Sequence, residues 1–149
     1  MNILFVCTGN TCRSPMAEVI ARDYFARKDM SNKVISAGIQ NIGGEPASTN
    51  AIAAVAEYGL DLKEHKNRLV NRMLVETSDK ILTMTIAQRD LLRIAYYDVE
   101  NIDEKVQTLS YCATGEDKDL EDPFFAELDV YRKTRDEIKD LIEKCNWGE

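Results

Sequence analysis

Two residue types at one spacing stand out as able to do chemistry: Cys7 and Arg13, with five residues between them in Cys7-Thr8-Gly9-Asn10-Thr11-Cys12-Arg13-Ser14. A thiol becomes a strong nucleophile once it loses its proton, and thiol pKa values near helix N-termini fall to about 3.5–7.5. A guanidinium presents a planar fork that suits two oxygens of a phosphate. If the N–H groups of the intervening loop converge, they form an anion site with the sulfur at its floor. The alternative at Cys7 is a small core hydrophobe closing a strand.

Such a loop needs a strand before it and a helix after it. Met1-Asn2-Ile3-Leu4-Phe5-Val6 is an apolar run that reads as a buried strand over Ile3–Val6. The helix is expected over Pro15–Lys28, with Ser14 at the N-cap and Pro15 at the first helical position, where a missing N–H costs nothing. Met16, Val19, Ile20 and Tyr24 make its apolar stripe. Asn10 is placed to take a left-handed backbone conformation, which Asn tolerates.

Strand-like and helix-like stretches alternate along the rest of the chain. Lys33–Ala37 is a second strand ended by Gly38, Asp79–Met84 a third and Lys105–Leu109 a fourth. Helices are expected over Ala47–Tyr58 (stopped by Gly59), Asn71–Thr77, Ile86–Tyr96 and Asp129–Glu143. Leu91, Leu92 and Ala95 are expected to face inward from the fourth helix. Val130, Thr134, Ile138, Leu141 and Ile142 should do so from the last. Ser110–Glu121 is acidic and polar and reads as mobile. Within Leu60–Val70, His65 reads as solvated rather than catalytic. Tyr96-Tyr97 reads as two rings packing a helix end. Together these elements predict an α/β fold: a three-layer, doubly wound, four-stranded parallel sheet in the order 2-1-3-4, with helices on both faces. Ligands bind such sheets beyond the carboxyl ends of the strands, and that is where the Cys7 loop falls.

A chain of 149 residues is expected to form one domain, residues 1–149. No run of about 18 apolar residues is present, so no transmembrane helix is expected, and the N-terminus lacks the pattern of a secretory signal. The cytoplasm is the expected location, and a monomer the expected form. A net charge of −7 argues against nucleic acid and anionic membranes as partners. Cys7, Cys12, Cys112 and Cys145 match neither a disulfide framework nor a zinc spacing, and His65 is the only histidine. No metal or cofactor is expected.

Val6-Cys7-Thr8-Gly9-Asn10-Thr11-Cys12-Arg13-Ser14-Pro15-Met16-Ala17-Glu18 resembles the active-site loop of the low-molecular-weight protein tyrosine phosphatases. Ser36-Ala37-Gly38 resembles that family's second strand end, and Glu121-Asp122-Pro123-Phe124 its general-acid loop. Read without the resemblance, Asp122 before Pro123 would be a helix cap. The resemblance implies Cys7 as nucleophile, Arg13 as phosphate clamp and Asp122 as general acid, acting through a phosphocysteine on phosphorylated proteins. The expected substrate-binding set is Thr8, Gly9, Asn10, Thr11, Cys12, Ser14 and Phe124, with Ser14 also hydrogen-bonding the Cys7 sulfur. The Gln40–Pro46 loop is either a plain turn or, as the resemblance implies, one wall of the cleft, with Ile42 its only bulky residue. Cys12 is either a loop filler or, as the resemblance implies, a thiol that traps oxidised Cys7 as a disulfide.

Thr11 stands where the family's tyrosine phosphatases usually carry Ile, and it resembles the protein arginine phosphatase branch. A hydroxyl at the pocket wall suits a planar polar guanidinium, whereas Phe124 could still flank a phenol ring. Phosphoarginine in proteins is therefore the expected substrate, with phosphotyrosine as the alternative. A remoter alternative is an arsenate reductase, which needs two further relay thiols. Cys112 and Cys145, far apart in sequence, look poorly placed for that role.

Overall fold

The computed structural model describes residues 1–40 and 43–148. Ile42, expected as the bulky residue of the 40–46 loop, lies outside them. The elements in chain order are β1 (Asn2–Cys7), α1 (Arg13–Arg27), β2 (Lys33–Gly38), α2 (Thr49–Ala56), α3 (Arg72–Thr77), β3 (Lys80–Thr83), α4 (Ile86–Ala95), α5 (Ile102–Lys105), β4 (Val106–Thr108), α6 (Leu109–Thr114) and α7 (Leu128–Lys144). The strands form one parallel sheet, as the alternation of elements predicts, and they stand in the expected order β2-β1-β3-β4.

Alternation along β1 divides the core between the two faces. Ile3, Phe5 and Cys7 point into the layer built by α1, α2, α6 and α7. Leu4 and Val6 point into the layer of α3, α4 and α5. Parallel sheets are buried on both faces, which explains the nearly unbroken apolar run before Cys7. Cys7 thus ends β1 facing α1 and α7.

Several boundaries differ from the sequence reading. α1 begins at Arg13, so Ser14 is a buried helical residue rather than the N-cap. Cys12 takes the cap position and no side chain caps the helix, which leaves first-turn N–H groups without a capping partner. Pro15 is tolerated in the third helical position because that N–H has no intrahelical partner either. α2 is shorter than expected, since Ser48 accepts a bond from the Ala51 N–H and starts it there.

On α4 the buried residues are Gln88 and Leu92, while Leu91 is half exposed and Ala95 exposed. Residues four apart share a helix face, so the two consecutive leucines could not both turn inward. Tyr96 packs against the second core, but Tyr97 is exposed. Ser110–Glu121, read from the sequence as a mobile segment, has α6 over its start. Thr108 Oγ1 donates to Asp117 Oδ1 at 2.7 Å, and the Ile86 N–H donates to Asp119 Oδ1 at 2.8 Å. On α7, Tyr131 and Arg135 are buried with Thr134, Ile138 and Ile142, whereas Val130 and Leu141 are only partly covered.

Candidate active site

The Cys7 sulfur is buried at the carboxyl end of β1. Its neighbours are the Ser14 hydroxyl at 2.9 Å and the Asn10 N–H, which donates to it at 3.3 Å. Asn10 has φ = 55°, the left-handed conformation expected of it, and this turns its N–H toward the sulfur. The Asn10 side-chain amide donates to Ser14 Oγ and Ser36 Oγ, each at 2.9 Å, and its Oδ1 accepts from the Arg68 N–H at 3.0 Å. With Asn10 donating to it, the Ser14 hydroxyl keeps its own proton available for the sulfur.

Arg13 is buried beside this loop. Its Nη1 donates to the Leu120 carbonyl at 3.0 Å, and its Nη2 lies 3.6 Å from Asp122 Oδ2. Asp122 is half exposed, and its other oxygen, Oδ1, accepts from the Phe124 N–H at 3.1 Å. That turn lifts Phe124 to the rim, where its ring packs on Phe125 with centroids 4.0 Å apart. Cys7, Thr8, Gly9, Thr11, Cys12 and Arg13 line one cavity of about 520 Å³. Asp122 and Phe124 line it from one side, and the 45–49 segment and Asn67 from the other. A buried nucleophile contacted by a backbone N–H, a buried cation and a half-exposed carboxylate at the mouth can bind a phosphoryl group and protonate what leaves it.

The family model described as "Low molecular weight phosphotyrosine protein phosphatase" matches residues 2–146. This chain belongs to the low molecular weight phosphatase family. It is similar to the protein-arginine-phosphatase of Bacillus subtilis, at 35% identity over 97% of this chain and 93% of that one. It is also similar to the low molecular weight protein-tyrosine-phosphatase PtpB of Staphylococcus epidermidis, at 35% identity over 99% and 98%. Among solved structures, a mutant of the YwlE arginine phosphatase with a phosphorylated active-site serine superposes with a TM-score of 0.92 at 34% identity, covering 97% of this chain and 92% of that one.

In this family member Cys7, Thr8, Gly9, Thr11, Cys12, Arg13, Asp122 and Phe124 share one cavity. Asn10 and Ser14, expected among the substrate-binding residues, are instead fully buried and contact the Cys7 sulfur. The structure also adds others. His65 is not simply solvated: its Nε2 donates to the Asn10 carbonyl at 2.8 Å. Asn67 is buried and donates to the Gly9 carbonyl at 3.1 Å, while its Oδ1 accepts from the Glu45 N–H at 2.7 Å. The 65–68 segment therefore braces the outer side of the phosphate loop. On the inner side, Ser36 passes the Asn10 contact on to Glu18, donating to its Oε1 at 2.8 Å. Gln88 Nε2 donates to Thr8 Oγ1 at 3.0 Å. Gly38 is required by close approach, because a Cβ there would lie 2.9 Å from the Thr8 carbonyl oxygen. Ser36-Ala37-Gly38 was the one sequence signal for these supports; His65, Asn67 and Gln88 carry none.

Cys12 is buried behind the loop. Its sulfur lies 3.4 Å from Tyr131 Oη and 3.5 Å from Ser48 Oγ. Burial, together with the contact to Cys12, pushes the Tyr131 phenol up to about 12, so it stays protonated through the physiological range. Among the described residues, no three His, Cys, Asp or Glu side chains are grouped to hold a metal ion.

Proposed function

We propose that this chain is a single-domain cysteine-dependent protein phosphatase that removes phosphate from phosphoarginine in proteins. The observation that carries the reading is the Cys7 sulfur held between the Asn10 N–H and the Ser14 hydroxyl, with Asp122 across the mouth beside the Arg13 guanidinium. The Cys7 thiolate attacks phosphorus in line, forming an S–P bond as the P–N bond of phosphoarginine breaks. Loop N–H groups and Arg13 hold the equatorial oxygens, where charge accumulates in the transition state. Asp122 gives its proton to the departing guanidine nitrogen. As a carboxylate it then takes a proton from the water that hydrolyses the phosphocysteine. Ser14 donates to the sulfur as it leaves.

Thr11 supports arginine over tyrosine. It lines the cavity with a hydroxyl-bearing side chain, which suits a polar guanidinium better than a phenol ring. The similarity to named protein-arginine-phosphatases of Bacillus subtilis and Geobacillus stearothermophilus points the same way. A second reading, a tyrosine phosphatase with the same mechanism, is favoured by Phe124, which stands half exposed at the rim where it could flank a ring. Parallel turnover of phosphoarginine and phosphotyrosine peptides separates the two. A higher kcat/KM on phosphoarginine is expected, and a clear preference for phosphotyrosine overturns the arginine assignment while leaving the mechanism.

In this reading the enzyme acts in the cytoplasm as a monomer on phosphorylated proteins, without a cofactor. Its net charge of −7 disfavours nucleic acid and anionic membranes as partners. Cys12 serves as the resolving thiol for oxidised Cys7. Peroxide then inactivates the enzyme and a dithiol restores it; irreversible loss with Cys12 intact counts against this role.

A further inference from the structure

We propose that a second cavity, beside the catalytic one, is a substrate subsite that takes an apolar side chain lying within two residues of the phosphorylated one. The subsite rests on the phosphatase reading above and names what such an enzyme recognises beyond the phosphoryl group. The second cavity measures about 380 Å³ and shares Thr8, Arg13 and Asp122 with the first. These three residues are a common wall between the two. A protein substrate continues past its phosphorylated side chain, and an extended chain advances at most about 3.6 Å per residue. A side chain one or two places away therefore stays within reach of the far side of that wall.

The chemistry of the occupant follows from which lining groups already have partners. Gln88 Nε2 donates to Thr8 Oγ1 at 3.0 Å, and Gln88 Oε1 accepts from the Thr85 N–H at 3.1 Å. Thr85 Oγ1 accepts in turn from the Gln88 N–H at 3.2 Å. Of the two carboxylates, Asp122 accepts from the Phe124 N–H and faces the Arg13 guanidinium. Asp119 accepts from the Ile86 N–H and stands exposed to water, so neither makes the cavity a cation site. The rest of the lining is largely apolar: Ile39 beyond β2, Ala87 and Leu91 on α4, and Leu120 ahead of Asp122. Leu120 is buried, whereas Leu91 is 49% exposed beside a buried Leu92. A single exposed leucine is ordinary on a protein surface. This one lines a concavity that adjoins a nucleophile, where a bound polypeptide would cover it. Such concave, mostly apolar surfaces with a few fixed polar groups are what bound side chains fill.

Turnover of two peptide series tests this, one built around phosphoarginine and one around phosphotyrosine. Glycine fills the two positions on either side, and a single Leu or Lys is moved through them. In whichever series is hydrolysed, Leu at one of these positions should raise kcat/KM roughly tenfold over Gly, the low end of what burying a leucine gives. The gain should appear mainly in KM, as binding shared by ground and transition states does. Leu91→Gln and Ala87→Asp should each cut the gain to less than about threefold, by removing apolar surface or adding charge at the cavity. The quantity read is the Leu-to-Gly ratio within each variant, so a variant of lower overall activity still reports. Equal kcat/KM for Leu and Gly at every position, a larger gain from Lys than from Leu, or a Leu gain that survives either substitution would overturn the subsite and leave the phosphatase reading standing. No turnover of either series would remove that reading, and the subsite with it.

Discussion

The Ser14 hydroxyl lies 2.9 Å from the Cys7 sulfur while accepting a 2.9 Å hydrogen bond from the Asn10 side chain. In the proposed reaction Asn10 thereby orients Ser14, and Ser14 stabilises negative charge on sulfur, most of all when the phosphocysteine breaks. Ser14→Ala should slow the second chemical step more than the first. Hydrogen bonds to charged groups contribute about 1.5–3 kcal/mol, so kcat should fall roughly 10- to 150-fold. Rapid-quench kinetics should show the phosphoenzyme accumulating in the variant; an equal loss in both steps would contradict this role.

Asp122 stands half exposed, 3.6 Å from Arg13, where it can reach a leaving group. Asp122→Asn should lower kcat by about 10²–10⁴ on substrates whose leaving group needs a proton. The loss should be much smaller with p-nitrophenyl phosphate, whose leaving group is a weak base. Comparing leaving groups of graded pKa in the wild type and the variant measures the difference.

Thr11→Ile exchanges a hydroxyl at the cavity wall for apolar surface. A substitution of this kind is worth about 1–3 kcal/mol, so the ratio of phosphoarginine to phosphotyrosine kcat/KM should fall roughly 5- to 150-fold. A ratio unchanged within twofold would place the selectivity elsewhere.

A side chain at Gly38 has no room. Its Cβ would meet the Thr8 carbonyl oxygen at 2.9 Å and the Asn10 Cβ at 3.2 Å. Gly38→Ala should therefore displace the phosphate loop, destabilising the fold by about 1–3 kcal/mol. It should also weaken vanadate binding beyond what the stability loss accounts for. Chemical denaturation and vanadate inhibition, measured together, check both parts.

Glu57, at the end of α2, accepts from Arg132 Nη2 at 2.7 Å and Arg135 Nη1 at 2.6 Å, which ties α2 to α7. The Arg132 hydrogen bonds first, then Arg135, lower its carboxyl from 4.5 to about 2. A carboxyl whose pKa is lower folded than unfolded contributes its full stability above the unfolded value and loses it as pH falls through the folded one. Glu57→Gln should therefore lower Tm at pH 7, and the gap to wild type should close between about 4.5 and about 2. Thermal melts across that range provide the test.

Much of the site is legible in one short stretch of sequence. The apolar run of β1, the Gly9-Asn10 turn and the helix after Arg13 are local features, and local features place Cys7 and Arg13 around one point. The start of α1 was misread because Ser14 is a good cap residue by type, and only the packed loop shows its hydroxyl turned to the sulfur instead. On α4, a pair of adjacent leucines gave no sign of which would be buried.

By itself the sequence determined the four strands, the five longer helices read between and after them and the Cys7–Arg13 loop, because each follows from residue type and periodicity within a dozen positions; the short α5 and α6 left no such pattern. Only the tertiary structure decided that His65, Asn67 and the Arg68 N–H hold the loop from outside, and that Ser36 and Glu18 hold it from within. Periodicity reveals which face of an element is apolar. Which polar groups meet across the ends of neighbouring strands depends on register and layer packing, and these are set by contacts between segments far apart in the chain.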